Sequence, residues 1–341
     1  RDLASLTEML SDPAVRLITI TGPSGVGKSR LAAQLYLDAR DLFPDGVVFV
    51  SLSGVRDAEM VLPLLANALD LRDDRDLPVL DQLQDRLGGA RMLLVLDGFE
   101  QVLGASRAIT ELLSRVGGPV ILATSRAPLR ITAEHEYLLA PLELPPAAGR
   151  PTPEQLIEIT SVALFVDRAR AVRNTFELTS ENAGAVAEVC RRLDGLPLAI
   201  ELAAARTKIL SPQALLVRLS NRLQLLTGGP RDVPARLQTM RDAIAWSHDL
   251  LSPEHQAVFQ HVSVFAGGFS LDEASAVEGA GEDGVEGDPL ELFEAIAAAA
   301  LPPRRCAGTP AGDGVVVLRK PMASVGADSS TSACSASVLR P

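Results

Sequence analysis

The stretch "ITITGPSGVGKSRLA", Ile18–Ala32, reads as a strand, a glycine-rich turn and the opening of a helix. Ile18-Thr19-Ile20-Thr21 is a β-branched run suited to a buried strand. Leu31, Leu35, Ala39 and Phe43 then recur at helical spacing. Between them Gly22-Pro23-Ser24-Gly25-Val26-Gly27-Lys28-Ser29 fits GxxxxGK[ST] at every fixed position. Glycines let successive backbone N–H groups face a phosphate, and a helix beginning near Lys28 adds its positive end. Lys28 can reach the outer phosphates of a nucleoside triphosphate, and the Ser29 hydroxyl can ligate Mg²⁺. With Arg30 on the same first turn, these residues form the expected cofactor-binding set for ATP or ADP.

Outward from this loop, residues 1–144 alternate short apolar runs with helical patterns. Strands are expected at 16–21, 46–52, 92–96, 119–123 and 136–139. Between them apolar residues recur three and four apart, as in Val61, Leu64, Leu65 and Ala68, or Ile109, Leu112, Leu113 and Val116. Continuous apolar strands alternating with helices imply a parallel sheet covered on both faces, an α/β architecture.

Two of these strands end in chemistry. "RMLLVLDGFE" (91–100) delivers Asp97 to the carboxyl tip of a buried strand, where open α/β sheets bind ligands and where a second Mg²⁺ ligand is needed. "VILATSR" (120–126) ends in Thr124-Ser125-Arg126 at the same edge. An arginine there can sense a γ-phosphate, or it can be an exposed loop residue.

After "LPPAAGRPTP" (144–153), a linker by composition, helices follow one another without a convincing strand. One is expected over 180–193 with Ser180 as its N-cap, stopping at "DGLP", where Gly195 supplies a left-handed residue and Pro197 opens the next helix. Others are expected from Pro212 to Leu223, Arg236 to Leu250, Pro253 to Val264 and 290–300, the last after an acidic, glycine-rich break at 278–289. Beyond Leu301 periodicity is lost, and the Ser/Ala/Gly-rich run to Pro341 reads as a disordered tail.

Composition narrows the function. A formal charge of −11 over 341 residues opposes nucleic-acid binding by the whole chain, since phosphate neutralisation needs a basic surface. Cys190, Cys306 and Cys334 form no CxxC, and His135, His248, His255 and His261 have no ligand spacing, so neither zinc nor a disulfide framework is expected. With no membrane-length apolar run and no signal segment, the chain reads as cytoplasmic. It opens on Arg1 rather than Met, as a fragment of something longer would.

"RRLDGLPLAIELAAA" (191–205), together with the loop, "LLVLDGFE" and "TSR" in that order, resembles the NB-ARC module of the STAND class of signalling ATPases. The nearest likeness is to the bacterial branch of LuxR-type and antibiotic-pathway regulators. "TMRDAIAWSHDLLSPEHQAVFQHVSVFAGGFSLDEASAV" (239–277) resembles the start of that branch's winged helix. The resemblance implies a five-stranded nucleotide-binding domain (1–144), a linker (145–153), a helical domain (154–228) and a partial winged-helix domain (229–300) closing over ADP. By carry-over Gly195 and Pro197 would meet the adenine and ribose, and Arg126 would be the γ-phosphate sensor. It further implies a protein partner or effector domain and nucleotide-dependent oligomerisation.

Two departures matter. Where many members carry Asp or Asn after Asp97, this chain has Gly98; the nearest acid, Glu100, either positions water or faces solvent. After residue 300 the winged-helix pattern does not continue, as a truncation or a frame shift would produce. The expectation is therefore an ATP/ADP-binding molecular switch with slow hydrolysis. The alternatives are an ATP-consuming P-loop enzyme of the kinase type, for which no acceptor site is visible, and a nucleotide-binding remnant without output.

Overall fold

Five parallel strands lie with their carboxyl ends along one edge: β1 (Leu17–Thr21), β2 (Val47–Ser51), β3 (Leu93–Asp97), β4 (Val120–Thr124) and β5 (Glu134–Leu138). Their order in the sheet is β2-β3-β4-β1-β5. The computed structural model describes residues 1–71, 77–149, 151–219, 226, 229, 238–249, 253–262, 268–269 and 318–319.

The three central strands are buried at every position, which is why their sequences are mostly apolar, with Thr19 the one polar residue inside a run and Thr21, Asp97 and Thr124 at the strand ends. Their side chains alternate between two cores. Ile18, Ile20, Leu93, Val95 and Leu122 pack with Leu6 and Leu10 of α1 (Asp2–Ser11) and with Ala32 and Leu35 of α2 (Lys28–Asp38). Leu17, Leu94, Leu96, Ile121 and Ala123 face the other way, onto α3 (Val61–Ala68), α4 (Val79–Leu87) and α5 (Ser106–Arg115). The sheet with helices on both sides is the expected α/β P-loop fold.

Placement of the strands follows the reading within a residue, except at β5. There the strand occupies 134–138 rather than 136–139, because Glu134, His135 and Glu136 sit on an edge strand whose side chains need not be apolar. Asp97 belongs to β3 itself, directly opposite Thr124 of β4.

The helical layer runs through α6 (Pro153–Ile157), α7 (Thr160–Val172), α8 (Ala183–Arg192), α9 (Pro197–Ala205) and α10 (Pro212–Arg218), then α11 (Met240–Asp249) and α12 (Pro253–Val262). Thr152 and Gln155 form a capping box at the start of α6, with Pro153 in the first turn. Phe165, Val186, Cys190, Ile200 and Leu215 fill its centre, and this centre is continuous with the α1/α2 side of the sheet. Phe165 meets Phe176 edge-on, with ring centroids 6.1 Å apart. The small Ala199, Ala203 and Ala204 are wholly buried, as close helix contact requires.

Ser180 does not cap α8. The helix begins at Ala183, because the Asn182 side chain accepts from the Thr179 N–H and donates to the Glu177 carbonyl, holding 177–182 as a turn. The helix expected from Arg236 starts at Met240 in its described part, with the Thr239 hydroxyl accepting from the Asp242 N–H. The parts of the expected helices at 220–223, 236–237, 250 and 263–264, the acidic break, the helix at 290–300 and most of the tail lie outside the described residues. Within the tail, Leu318–Arg319 pairs antiparallel with Gly268–Phe269, where no strand is expected from the sequence. Among the described residues no helix is long and apolar enough to cross a membrane.

Candidate functional site

The phosphate loop joins the end of β1 to α2, on the carboxyl edge of the sheet near the point where the strand order reverses, where open α/β sheets bind ligands. Gly27 is the N-cap of α2 and no side chain caps the helix, so its first N–H groups stay available to an anion. Ser29 and Arg30 are exposed on that first turn, whereas Lys28 and Val26 are buried. The Lys28 ammonium donates to the carbonyl oxygens of Gly22 at 2.6 Å and Pro23 at 3.0 Å. Burial pushes its pKa down to about 8, against the opposing pull of Glu100 and, more weakly, Asp97; Arg126 pushes the same way as burial.

Those four charged groups therefore share one site, although they arrive from three different strand ends. Asp97 is buried and its Oδ1 accepts from the Thr124 hydroxyl at 2.7 Å. The same Thr124 oxygen accepts from the Gly98 N–H at 2.9 Å. Thr124 thus fixes both the Asp97 carboxylate and the turn that follows it. Register makes this possible: Asp97 pairs with Thr124 and Thr124 with Ile20, so β3, β4 and β1 end level with the loop. Arg126, two residues beyond, is buried rather than an exposed loop arginine.

Glu100 lies on a single 3₁₀ turn, Phe99–Gln101, anchored by the wholly buried Phe99. Its Oε2 is buried, as is Nε2 of Gln101, and neither atom has a hydrogen-bond partner among the described residues. Glu100 Oε2 does not face solvent.

Gly195 and Pro197 form the corner between α8 and α9. The left-handed residue that ends α8 is Asp194 (φ 53°), not Gly195 alone: Asp194 N–H bonds to Arg191 O and Gly195 N–H to Cys190 O, a Schellman closure. Gly195 follows at φ 69°, and it is required for a second reason, since a Cβ there would run into the Leu142 carbonyl oxygen. Its own carbonyl accepts from the Leu142 N–H at 3.0 Å. One turn on, the Leu198 N–H reaches the phosphate loop itself, at Gly25 O. The corner is thus joined to the loop through backbone.

Oxygen donors dominate the site: the Ser29 hydroxyl, the Asp97 carboxylate and the unpartnered Glu100 Oε2. That set suits a hard cation such as Mg²⁺, which takes one or two carboxylates and leaves its other positions to phosphate and water. Among the described residues no group of three His, Cys, Asp or Glu side chains could hold a metal unaided. Sequence reasoning missed the Thr124 clamp, Gln101 and Leu198. Only Thr124 carried a signal, as a polar residue at the tip of a buried strand.

A family described as an AAA domain matches residues 14–130. The Mycobacterium tuberculosis uncharacterized protein Rv0894 is 40% identical over 287 residues, which are 84% of this chain and 69% of that protein. The M. tuberculosis putative HTH-type transcriptional regulator Rv0890c is 40% identical over 282 residues, 82% of this chain but 30% of that protein. Among solved structures, a STAND protein with a tetratricopeptide repeat sensor from Pyrococcus horikoshii is similar over 88% of this chain and 38% of its own, at 15% identity and a TM-score of 0.37. Carrying an AAA domain around the assembled loop, and 40% identical to a protein of which it spans more than two thirds, the chain belongs to the AAA-type P-loop family that includes Rv0894.

Proposed function

We propose that the chain is a nucleotide-controlled switch of the STAND/NB-ARC type, in which bound ATP or ADP sets the relation between the α/β domain and the helical layer. The observation that carries this reading is the bond from the Leu198 N–H to the Gly25 carbonyl, which ties α9 to the loop that would hold the phosphates. A change in the loop's backbone on binding is felt directly by that helix. The 282-residue match to a putative transcriptional regulator supports a place in regulation.

In this reading the loop amides from Gly22 to Lys28 cradle the phosphates, and Lys28 leaves the Gly22 and Pro23 carbonyls for the β- and γ-phosphates. Arg126 reads the γ-phosphate from the tip of β4. Ser29 and Asp97 would hold Mg²⁺, which when bound would supply positive charge against that developing on the phosphates. Gly195 and Pro197 border the base and ribose. Hydrolysis is slow, and the difference between the two nucleotides drives a domain movement that a protein partner or an effector segment reads. The acidic balance of the chain favours a protein partner over DNA.

Nucleotide released by acid from freshly purified protein and identified by chromatography tests the reading. Near-stoichiometric ADP, with small-angle scattering that differs between ADP and a non-hydrolysable ATP analogue, is the expected result. Scattering indifferent to the nucleotide would overturn the switch.

A further inference from the structure

β4 and β5 flank β1 on opposite sides and run parallel to it. The chain between them must therefore cross from the carboxyl edge of the sheet back to the amino edge, where Glu134 pairs with Leu17. Parallel connections usually take about a dozen residues or more and a helix. Residues 125–133 form this one without a helix, and Arg126 sits near its start. With no helix to hold it, the strap is placed by its anchors. At the carboxyl edge the Ser125 N–H donates to the Ile20 carbonyl at 3.0 Å, and the Ser125 hydroxyl accepts from the Ala127 N–H at 3.3 Å. Leu129 is buried in the core on the α3, α4 and α5 side of the sheet. At the far end the Glu134 carboxylate takes two successive amides. Its Oε1 accepts from the Leu129 N–H at 2.7 Å and its Oε2 from the Arg130 N–H at 2.8 Å. The Glu134 N–H closes the turn on the Ile131 carbonyl at 3.0 Å. An anion draws successive amides together where the backbone changes hand, and Arg130 is left-handed, with φ 57°. A non-glycine residue is held there at a cost, which the two charge-assisted bonds offset.

We infer that Glu134 is a positioning residue for Arg126: by fixing the far end of the strap it sets where the guanidinium at the near end stands beside the phosphate loop. The inference rests on the nucleotide reading above, in which Arg126 reads the γ-phosphate, and it names the group outside the site that keeps that arginine aimed. Arg126 lies between the Ser125 and Glu134 anchors, and its charge is felt at the Lys28 ammonium. Releasing the Glu134 bonds lets Leu129 and Arg130 leave the left-handed turn, and the slack runs back along the strap to Arg126. A charged contact that must meet a phosphate is sensitive to displacements of an ångström or less. Both Glu134 oxygens bond to the strap and neither to residues 22–29. Losing them should therefore blunt the distinction between ATP and ADP rather than the grip on both.

The test is the affinity of the full chain, with Mg²⁺, for ADP and for a non-hydrolysable ATP analogue. The variants are Glu134→Gln, Glu134→Ala, Arg126→Ala and the double variant that joins Glu134→Gln to Arg126→Ala. Arg126→Ala is expected to weaken the ATP analogue about 10- to 100-fold, the range of a lost hydrogen bond between charged groups, with ADP changed less than about threefold. Glu134→Gln, which keeps one acceptor oxygen, weakens the analogue about three- to tenfold and Glu134→Ala more, again with ADP nearly unchanged. Should Glu134→Ala not fold, the Gln variant decides. In the Arg126→Ala background Glu134→Gln has no further effect, because the group it aims is already gone. Equal losses for both nucleotides, or the same factor with and without Arg126, would make Glu134 a structural residue only and overturn the inference. So would a wild-type ratio of the two affinities in the Glu134 variants. An unchanged ratio in Arg126→Ala removes the inference and leaves nucleotide binding standing. A chain that binds neither nucleotide removes both readings.

Discussion

The Leu198 N–H donates to the Gly25 carbonyl oxygen at 3.2 Å, and a Cβ built on Gly25 would stand 2.9 Å from Leu198 Cβ. Loop and helix are therefore as close as backbone can come. Gly25 is also left-handed, with φ 78°, so any side chain there meets strain as well as α9. Gly25→Ala is expected to lower stability by about 1–3 kcal/mol in a urea titration. An unchanged midpoint would mean that loop and helix separate freely.

Glu201 of α9 pairs with Arg30 at 3.4 Å and Arg168 at 3.2 Å, but Arg30 is largely exposed. Such pairs contribute little in water. Glu201→Ala is predicted to change stability by less than about 1 kcal/mol. A larger loss would make charge, rather than the Gly25–Leu198 contact, the main tie between the layers.

Lys28 gives a pH dependence whose sign follows from burial. Its pKa falls from 10.5 to about 8 on folding, so between these values the unfolded chain holds the extra proton. Stability should therefore rise as pH climbs from about 8 toward 10.5, over and above what other groups contribute. Lys28→Met removes that slope without lowering the melting temperature at pH 7, and it abolishes the upward shift that ADP produces. Thermal melts at pH 7 to 10, with and without ADP, read all three effects.

Phosphate beside the Lys28 ammonium would raise its pKa, so nucleotide binding takes up protons above about pH 8. Affinity should be full below that value and weaken as pH rises past it. Calorimetric titration of ADP at pH 8.5 in buffers of different ionisation enthalpy would show the uptake. A binding heat independent of buffer would mean that Lys28 does not meet the phosphates.

Thr124 should matter through Asp97 and the turn that follows it. Thr124→Val strips the hydroxyl from a buried carboxylate oxygen and from the Gly98 N–H, with an expected cost of about 1–3 kcal/mol. It should weaken ADP binding with Mg²⁺ more than binding without it. Thr124→Ser, which keeps the oxygen, should restore both; equal weakening with and without Mg²⁺ would count against the clamp.

The loop, the central strands and Asp97 were legible because each obeys a local rule: a fixed motif, a β-branched apolar run, an acid at its end. β5 was half-hidden, since Glu134-His135-Glu136 on an edge strand need follow no apolar pattern. The α1 helix went unread although Leu3, Leu6 and Leu10 sit at helical spacing, because the segment carries no conventional cap. Ser180 misled because a serine before a helix is a good cap only when no rival holds the turn, and Asn182 is that rival. The site's clamp depends on Asp97 and Thr124 falling opposite each other, a matter of register between strands 27 residues apart. No local pattern encodes that distance. The same holds for Glu100 and Gln101, whose buried atoms become visible only once Phe99 has anchored their turn.

The shared core of sheet and helical layer has a practical consequence for anyone dividing the chain. A protein cut at the proline-rich junction near residue 144 would end beside Leu139, with the surface that met Phe165, Ile200 and Leu215 laid open to water. Such a piece would carry the whole phosphate motif and still be a poor soluble reagent, prone to self-association through that face. A boundary after α10 keeps the sheet with α7 to α10, although Leu219, Leu226 and Met240 belong to the same core and would be lost from it.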